Sequence, residues 1–225
     1  MSLDHRPAPR HAARKIKGNA ISMTGRVAGQ QLESSLERDF LTLVRFDSTV
    51  DRFLTQPVTL SYEDIAGQTW PYTPDCLVIY KHASDRSRDQ SPMLCEIKYE
   101  KELEEDRAKL EPKFAAATAY CNERGWRFDV FSEKQIRTPL LENARFLLPY
   151  RSRKLPLALT NRVTQWFQHE GPTTPEAFLA SVDEVARLDS LAALWHLVAA
   201  GTLGCDLSHA KVSNRTRLWN VRPET

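Results

Sequence analysis

Apolar and polar positions follow two different periods along the chain, and these periods divide it into helices and strands. Between residues 31 and 46, apolar residues recur every three to four positions, which predicts an amphipathic helix. Its apolar stripe consists of Leu32, Leu36, Phe40, Leu43 and Val44. Two short, largely apolar runs, 72–80 and 93–98, are predicted to be buried strands. The uniformly polar segment 81–92 between them fits a hairpin loop, which makes the two strands antiparallel neighbours.

Further patterned segments extend this prediction to a whole domain. Extended segments or strands are predicted at 50–53, 57–62 and 127–131, and a helix is predicted at 139–148. Pro112 is predicted to begin another helix that runs to about Arg124, because proline suits a first helical turn and disrupts a helix interior. The order helix, strands, helix, strand, helix predicts an α/β domain in which helices cover a mixed sheet.

Charged residues interrupt the two predicted buried strands. Asp75, Glu96 and Lys98 lie in these runs, where a charge is costly unless a partner compensates for it. Glu96 and Lys98 are two positions apart and therefore point to the same face of a strand. Carboxylates, together with the carbonyl of Ile97, suit Mg²⁺, and a lysine can stabilise charge at a phosphate. This combination indicates a nuclease that uses metal-activated water. A same-face ion pair between Glu96 and Lys98 is the alternative.

The predicted first helix offers a third acid. Glu33 and Glu37 lie one turn apart beside its apolar stripe. Either carboxylate would extend the acidic set if the helix packs near the ends of the two strands. The alternative is that both are solvated helix glutamates, which is the usual state of this residue type.

The segments that carry these residues resemble, in the same order, TnsA, the endonuclease subunit of heteromeric cut-and-paste transposases. The likeness spans residues 30–150 and rests on 36–43, Phe46-Asp47, Val50, Gln56-Pro57, 72–75 and 96–98. It implies a restriction-endonuclease-like catalytic domain that nicks the 5′ ends of the element while a partner transposase cuts the 3′ ends. It also implies a C-terminal winged-helix-like domain that engages partner proteins.

The resemblance assigns roles to individual residues. Glu37 matches the family's helix glutamate, Asp75 its central metal-binding aspartate and Lys98 its active-site lysine. Glu96 stands where some members have glutamine, and Glu33 has no counterpart. The implied catalytic residues are Glu37, Asp75, Glu96 and Lys98. The implied metal ligands are Asp75, Glu96, Glu37 and the Ile97 carbonyl, with Mg²⁺ as the cofactor and Mn²⁺ as an alternative.

Bulk composition is compatible with this interpretation. The 225 residues allow one large or two modest domains, and 41% hydrophobic with 27% charged residues is typical of a soluble globular protein. No apolar stretch reaches the ~18 residues of a membrane-spanning helix, and no signal-peptide pattern is present. We therefore expect no membrane contact and a cytoplasmic location. The four cysteines are widely spaced, which favours buried thiols over disulfides or a zinc site.

Charge is distributed unevenly, although the net charge is only +2. Residues 1–29 hold a single acid, Asp4, against a set of basic residues. The basic residues are Arg6, Arg10, Arg14, Lys15, Lys17 and Arg26. Because this segment has no apolar periodicity, it is predicted to be a basic flexible arm that contacts DNA phosphates non-specifically. A solubilising tail with no fixed partner is the alternative.

The predicted domain organisation has three parts after the arm. They are a catalytic domain at 30–149, a linker at 150–156 and a second domain at 157–225. The second domain is predicted to hold helices at 157–169, from Thr174-Pro175 and at 184–200, then a hairpin of 202–207 with 215–219. Three helices followed by a hairpin is the order of a winged-helix-like α+β domain. Arg187 is the only Lys or Arg of its third helix, which favours protein contacts over insertion into a DNA groove.

The function predicted from these observations is a metal-dependent DNA endonuclease subunit of a TnsA-like transposase that cleaves the 5′ ends of the transposon. Its expected partners are transposon-end DNA, an integrase-like transposase subunit and an AAA+ ATPase regulator. One alternative is a freestanding nuclease of the same fold, of the resolvase or restriction type. The other is a non-catalytic adaptor that bridges transposition proteins and DNA.

Overall fold

The computed structural model describes residues 35–81 and 91–221. The basic arm expected at 1–29, Glu33 and most of the loop expected at 81–92 lie outside the described residues. All four cysteines are free thiols and three of them are buried, which confirms that interpretation of the sequence. No helix in the described ranges is long and apolar enough to cross a lipid bilayer.

A mixed four-stranded sheet forms the centre of the catalytic part of the chain. The strands are β1 Val50–Thr55, β2 Leu60–Glu63, β3 Thr69–Tyr72, β4 Cys76–Tyr80, β5 Met93–Ile97, β6 Arg127–Phe131, β7 Leu203–Gly204 and β8 Trp219–Asn220. The sheet has the order β1-β4-β5-β6, with β4 antiparallel to both neighbours and β5 parallel to β6. The antiparallel pairing of β4 with β5 confirms the predicted hairpin arrangement. β2 and β3 form a separate antiparallel pair.

Helices cover both faces of this sheet. They are α1 Ser35–Phe46, α2 Glu100–Glu105, α3 Arg107–Asn122, α4 Glu133–Ile136, α5 Pro139–Arg151, α6 Leu157–Glu170, α7 Pro175–Ala180 and α8 Arg187–Ala199. On one face, Phe40 of α1 shares a core with Cys95 and Ile97 of β5. On the other, Ala117 of α3 shares a core with Leu94. Successive β5 side chains therefore alternate between the two helical layers, and the predicted α/β class is confirmed.

The run 72–80 is not one strand, contrary to the prediction. β3 and β4 are separate, and Asp75 lies in the irregular segment between them. Pro74 has no backbone N–H to donate to a strand ladder. The N–H of Asp75 donates to the Cys95 carbonyl at 3.1 Å, while its carbonyl accepts from the Gln56 N–H at 2.8 Å. These two bonds fix the backbone of Asp75 at the point where β4 begins.

The prediction that a helix starts at Pro112 is also wrong. α3 begins at Arg107 and passes through Pro112. A proline here removes a single helical hydrogen bond, and Leu110, two positions earlier, is buried against the core. Packing of this turn compensates for the lost bond, and the helix break falls instead at Asp106, between α2 and α3.

α5 continues beyond its predicted end, so the expected linker 150–156 begins inside a helix. Arg151 holds the last turn of α5 in place. Its guanidinium donates to the carbonyls of Arg45 at 3.0 Å and Phe46 at 2.6 Å. It also donates to the carbonyl of Ala199 at 2.8 Å. A single side chain thus joins α5 to the C-terminal ends of α1 and α8.

After α5, three helices and a strand pair follow in the predicted order, but the strands β7 and β8 are shorter than the predicted hairpin. The intervening segment is fastened to α5 instead. The buried side chain of Asn143 donates to the carbonyls of Leu207 and Ala210, both at 2.8 Å. It also accepts from the N–H of Val212 at 2.9 Å. These bonds draw the segment away from β-pairing and onto α5.

Candidate active site

Asp75 marks the centre of the candidate site. Its Oδ2 accepts a hydrogen bond from the backbone N–H of Ile97, the last residue of β5, at 2.7 Å. A charge-assisted bond of this kind to the main chain fixes the orientation of a carboxylate. Asp75 is therefore held at the end of β5, where the chain leaves the sheet at Lys98.

Glu96 is buried in β5, with 4% of the residue exposed. Two side chains hold its carboxylate. The ammonium of Lys98 lies 3.1 Å from Oε1, and the phenol of Tyr72 donates to Oε2 at 2.8 Å. A carboxylate in such a place requires partners of this kind, because an isolated buried charge is costly.

Lys98 follows the last residue of β5, and its ammonium contacts two oxygens. Besides the carboxylate of Glu96, it donates to the carbonyl of Ile97 at 3.3 Å. Burial lowers the pKa of Lys98, but the negative charges of Glu96 and Asp75 outweigh burial, so the pKa is raised overall. Lys98 therefore stays cationic through the neutral pH range. It lies against two of the oxygens that the sequence assigns to a metal.

Tyr72 is a site residue that the sequence analysis missed. It ends β3 and is buried, and burial together with the charges of Glu96 and Asp75 raises the pKa of its phenol. The phenol therefore remains a hydrogen-bond donor to Glu96. The contact joins residues 24 positions apart. The only sequence signal for it is the place of Tyr72 three residues before Asp75.

Glu37 reaches the site from α1. It lines a small pocket together with Asp75 and Ile97. α1 packs on the sheet face that receives Ile97, whereas Glu96 points to the opposite face, towards Tyr72. Glu37 therefore approaches Asp75 from the side opposite to Glu96.

The structure thus arranges the predicted residues in two groups that Asp75 connects. One group is the pocket of Glu37, Asp75 and Ile97, and the other is the ion pair of Glu96 with Lys98. The charge of Asp75 also acts on Lys98, so the two groups share one electrostatic environment. Within the described ranges, no three His, Cys, Asp or Glu side chains are grouped as a preformed metal site. The carboxylates of Asp75 and Glu96 are both engaged by protein donors.

Two family models match the chain. The one described as TnsA-like endonuclease N terminal matches residues 47–133, a range that includes Asp75, Glu96 and Lys98. The one described as TnsA endonuclease C terminal matches residues 135–207. A comparison with curated proteins gives no match.

The matches first define a class of protein, an endonuclease of Tn7-type transposition. More narrowly, the chain belongs to the TnsA-like endonuclease family, since both domains of that family occur here in sequence order. This confirms the resemblance found in the sequence. Glu37 lies before the first matched residue, so its role is argued from the pocket that it shares with Asp75.

Proposed function

We propose that the chain is a Tn7-type transposase subunit that cuts DNA at the 5′ ends of the transposon and requires Mg²⁺ or Mn²⁺ to do so. One observation carries the proposal. The Lys98 ammonium lies against the Glu96 carboxylate and the Ile97 carbonyl, beside the anchored carboxylate of Asp75. Family membership supports the proposal that the chain cleaves DNA in transposition. The cluster of Lys98, Glu96, Ile97 and Asp75 supports this part of the chain as the site of cleavage.

The oxygens at this place suit a hard divalent cation. Carboxylates and a backbone carbonyl are ligands that Mg²⁺ prefers. A cation, the Lys98 ammonium, already lies 3.1 Å from Glu96 Oε1 and 3.3 Å from the Ile97 oxygen. We assign Asp75, Glu96 and the Ile97 carbonyl as ligands, and Glu37 as a supporting ligand.

In this proposal Lys98 leaves Glu96 when that carboxylate binds the metal, and this movement supplies the second role of the lysine. Once released, its ammonium can bind a phosphoryl oxygen of the DNA and stabilise the charge that develops during cleavage. Asp75 keeps its orientation, because its anchor is the backbone of Ile97 and not the ammonium. When bound, Mg²⁺ lowers the pKa of a coordinated water and offsets charge on the phosphate. The expected products carry 3′-hydroxyl and 5′-phosphate ends.

We assign the catalytic domain to the PD-(D/E)xK type of restriction-endonuclease-like folds. Two features support this: Asp75 follows a proline immediately before β4, and Glu96, in the adjacent antiparallel strand β5, is separated by Ile97 from Lys98, just beyond the end of that strand. We assign the C-terminal part to a winged-helix-like domain. Its order of α6, α7, α8 and the β7–β8 pair supports this, as does a further bridge between Thr173 and Leu218.

The proposed partners divide between the two domains. Transposon-end DNA enters the catalytic domain, whereas an integrase-like transposase subunit and an AAA+ ATPase regulator engage the C-terminal domain. Val185, just before α8, and Leu188, in its first turn, are largely exposed apolar side chains of a kind that protein partners cover. Arg187 lies between them and is the only Lys or Arg of α8, so this helix is poorly suited to a DNA backbone.

Asp75→Ala tests the proposal in an excision assay with the partner proteins, in which each strand is resolved on a denaturing gel. We expect 5′-end cleavage to fall by more than about 100-fold, since loss of even an outer partner of a metal ligand costs 10–100-fold. Assembly with the partners should be retained. Asp51→Ala, which removes an exposed carboxylate of β1, is the matched control and should cleave normally.

Unchanged 5′-end cleavage in Asp75→Ala would remove Asp75 from the mechanism. Robust cutting of linear or branched DNA by the isolated chain would favour the freestanding nuclease instead. If the unaltered chain assembles with its partners and DNA but 5′-end cutting does not depend on it, the adaptor hypothesis is favoured.

A further inference from the structure

A groove of about 670 Å³ on another face of α1 is lined by basic side chains that the candidate active site does not use. The basic residues are Arg38, Arg137, Arg145 and Lys211, and the acids of the lining are Asp39 and Glu142. Cations therefore outnumber anions by two to one in this lining. They come from α1, from the end of α4, from the middle of α5 and from the segment between β7 and β8, so the fold, and not the local sequence, collects them.

Asp39 organises the floor of this groove. It is 8% exposed, and its Oδ2 bonds Arg137 Nε at 3.0 Å while its Oδ1 bonds Arg145. The two arginine side chains are nevertheless 41% and 47% exposed, although each guanidinium makes a further bond, Arg137 to Tyr99 and Arg145 to Glu142. A guanidinium held in this way loses less entropy when it binds a ligand, and its planar fork matches two oxygens of a phosphate.

Lys211 reaches the rim of the groove from the C-terminal part of the chain. The backbone groups of its neighbours Ala210 and Val212 are bonded to the buried side chain of Asn143 in α5. The ammonium of Lys211 is mostly exposed and lies 3.4 Å from Glu142 Oε2. The Asn143 contacts therefore place a cation at a defined position, although Lys211 belongs to an irregular segment.

Arg38 connects the groove with the candidate active site. It follows Glu37 in α1 but lines the groove, whereas Glu37 lines the pocket with Asp75. Arg38 is exposed, and its guanidinium forms no ion pair with any residue of the described ranges. The two places lie on different sides of one helix, whose diameter is ~10 Å.

We propose that this groove binds backbone phosphates of the DNA close to the cut. The inference rests on the proposed function, because DNA is the ligand of that function. Arg137 and Arg145 take one phosphate between them, and Arg38 and Lys211 bind phosphates on either side. An acidic segment of a partner protein is the competing ligand. DNA is favoured because α1 also carries Glu37 to the candidate active site, so a strand bound there lies within reach of the groove.

The double variant Arg38→Ala/Lys211→Ala of the full chain tests the groove. It leaves Asp39 paired with both of its arginines, so no buried carboxylate loses its partner. Binding to a duplex of arbitrary sequence is measured with a metal chelator, between about 50 and 200 mM salt. We expect the slope of log affinity against log salt to fall by roughly 1.8, at about 0.9 for each lost phosphate contact, and by the same amount on every sequence.

The matched control is Arg52→Ala/Arg153→Ala, which removes two exposed cations outside the groove and should keep the slope of the unaltered chain. Equal loss in both double variants, or an unchanged slope in the groove variant, would overturn the proposal. So would unchanged DNA binding together with lost binding of a partner protein, which assigns the groove to an acidic segment. Thermal melting should coincide for all three proteins, because exposed substitutions typically change stability by less than about 0.5 kcal/mol.

Asp75→Ala separates this inference from the proposed function. It should abolish cleavage and keep the salt slope of the unaltered chain, because Asp75 lies outside the groove lining. If Arg38→Ala/Lys211→Ala keeps the salt slope of the unaltered chain, phosphate binding in the groove is contradicted, but the nuclease assignment is not affected. If Asp75→Ala cleaves normally, the nuclease assignment is contradicted, but phosphate binding in the groove is not affected.

Discussion

The carboxylate of Asp75 accepts a hydrogen bond from the backbone N–H of Ile97 at 2.7 Å, across the junction of β4 and β5. This contact ties an expected metal ligand to the main chain of the neighbouring strand. Glu96, by contrast, is held by the side chains of Lys98 and Tyr72. In the proposed mechanism, the movement of Lys98 away from Glu96 is therefore the main rearrangement before cleavage.

Tyr72→Phe should impair cleavage while it preserves the core. The substitution keeps the buried ring and removes the hydroxyl that donates to Glu96 at 2.8 Å. Because partners that orient metal ligands typically contribute 10–100-fold, we expect the Mg²⁺ concentration for half-maximal cleavage to rise about tenfold. Single-turnover cleavage across a Mg²⁺ titration measures this. Tyr62→Phe, which alters the ring that packs edge-on against Tyr72, is the control, and identical Mg²⁺ curves for the two variants would refute the positioning role.

Lys98→Ala should separate metal binding from catalysis. Its ammonium competes for Glu96 Oε1 and the Ile97 carbonyl, so its removal should leave Mn²⁺ binding as tight as before or tighter. Cleavage should nevertheless fall about 10²–10³-fold, because a group that stabilises developing charge is lost. Mn²⁺ titration followed by electron paramagnetic resonance and single-turnover kinetics give the two quantities. Lys101→Ala serves as an exposed control. Weaker Mn²⁺ binding in Lys98→Ala would argue that the lysine supports the metal site instead of competing with it.

Arg151→Met should destabilise the whole chain, because it removes the hydrogen bonds that join α5 to the ends of α1 and α8. Burial lowers the pKa of Arg151, and the negative charge of Asp47 opposes this effect. Hydrogen bonds to charged groups contribute about 1.5–3 kcal/mol each, but the cost of burying the guanidinium offsets part of their sum, so we expect a loss of roughly 2–4 kcal/mol. Thermal melting should shift by about 5–10 °C for a chain of this size. Arg153→Met removes only stacking on Tyr150 and should melt almost normally; equal shifts for both variants would contradict the role assigned to Arg151.

Gly204→Ala should destabilise the β7–β8 pair. A Cβ at this position would lie 2.5 Å from Nε1 of the Trp219 side chain, far inside contact distance. Overpacking of this kind costs about 1–3 kcal/mol, which lowers the melting temperature by roughly 2–4 °C per kcal/mol. Adding Trp219→Ala to this variant should remove the clash, so the double variant should be more stable than the sum of the single effects predicts. Purely additive effects would show that the indole moves aside without cost.

The sequence predicted the sheet well because its strands have distinct apolar runs and because 81–92 has almost no apolar residues to pack. It placed Asp75 and Lys98 inside strands, whereas both lie just outside them. Proline at position 74 interrupts the ladder locally, and this effect competes with a strong apolar pattern on both sides. The wrong prediction that a helix starts at Pro112 is the converse case. There, packing of the helix against the core outweighed the local preference of proline for a first helical turn.

Contacts between distant segments could not be predicted from periodicity. Tyr72 and Glu96 are 24 positions apart, and Asp39 and Arg145 are 106 positions apart. Such pairs form only when particular strands and helices pack against each other. That arrangement depends on the packing of the whole sheet. Glu37 illustrates the same limit, because the resemblance indicated its role but not that it approaches from the face opposite to Glu96.

The position of Mn²⁺ in a crystal of the full chain with DNA, located by anomalous scattering, tests the proposed site most directly. The proposal predicts a peak at about 2.1 Å from an oxygen of Asp75 and from an oxygen of Glu96, with the Lys98 ammonium moved away from Glu96. A peak elsewhere on the DNA-bound chain, with Lys98 still paired to Glu96, would contradict it.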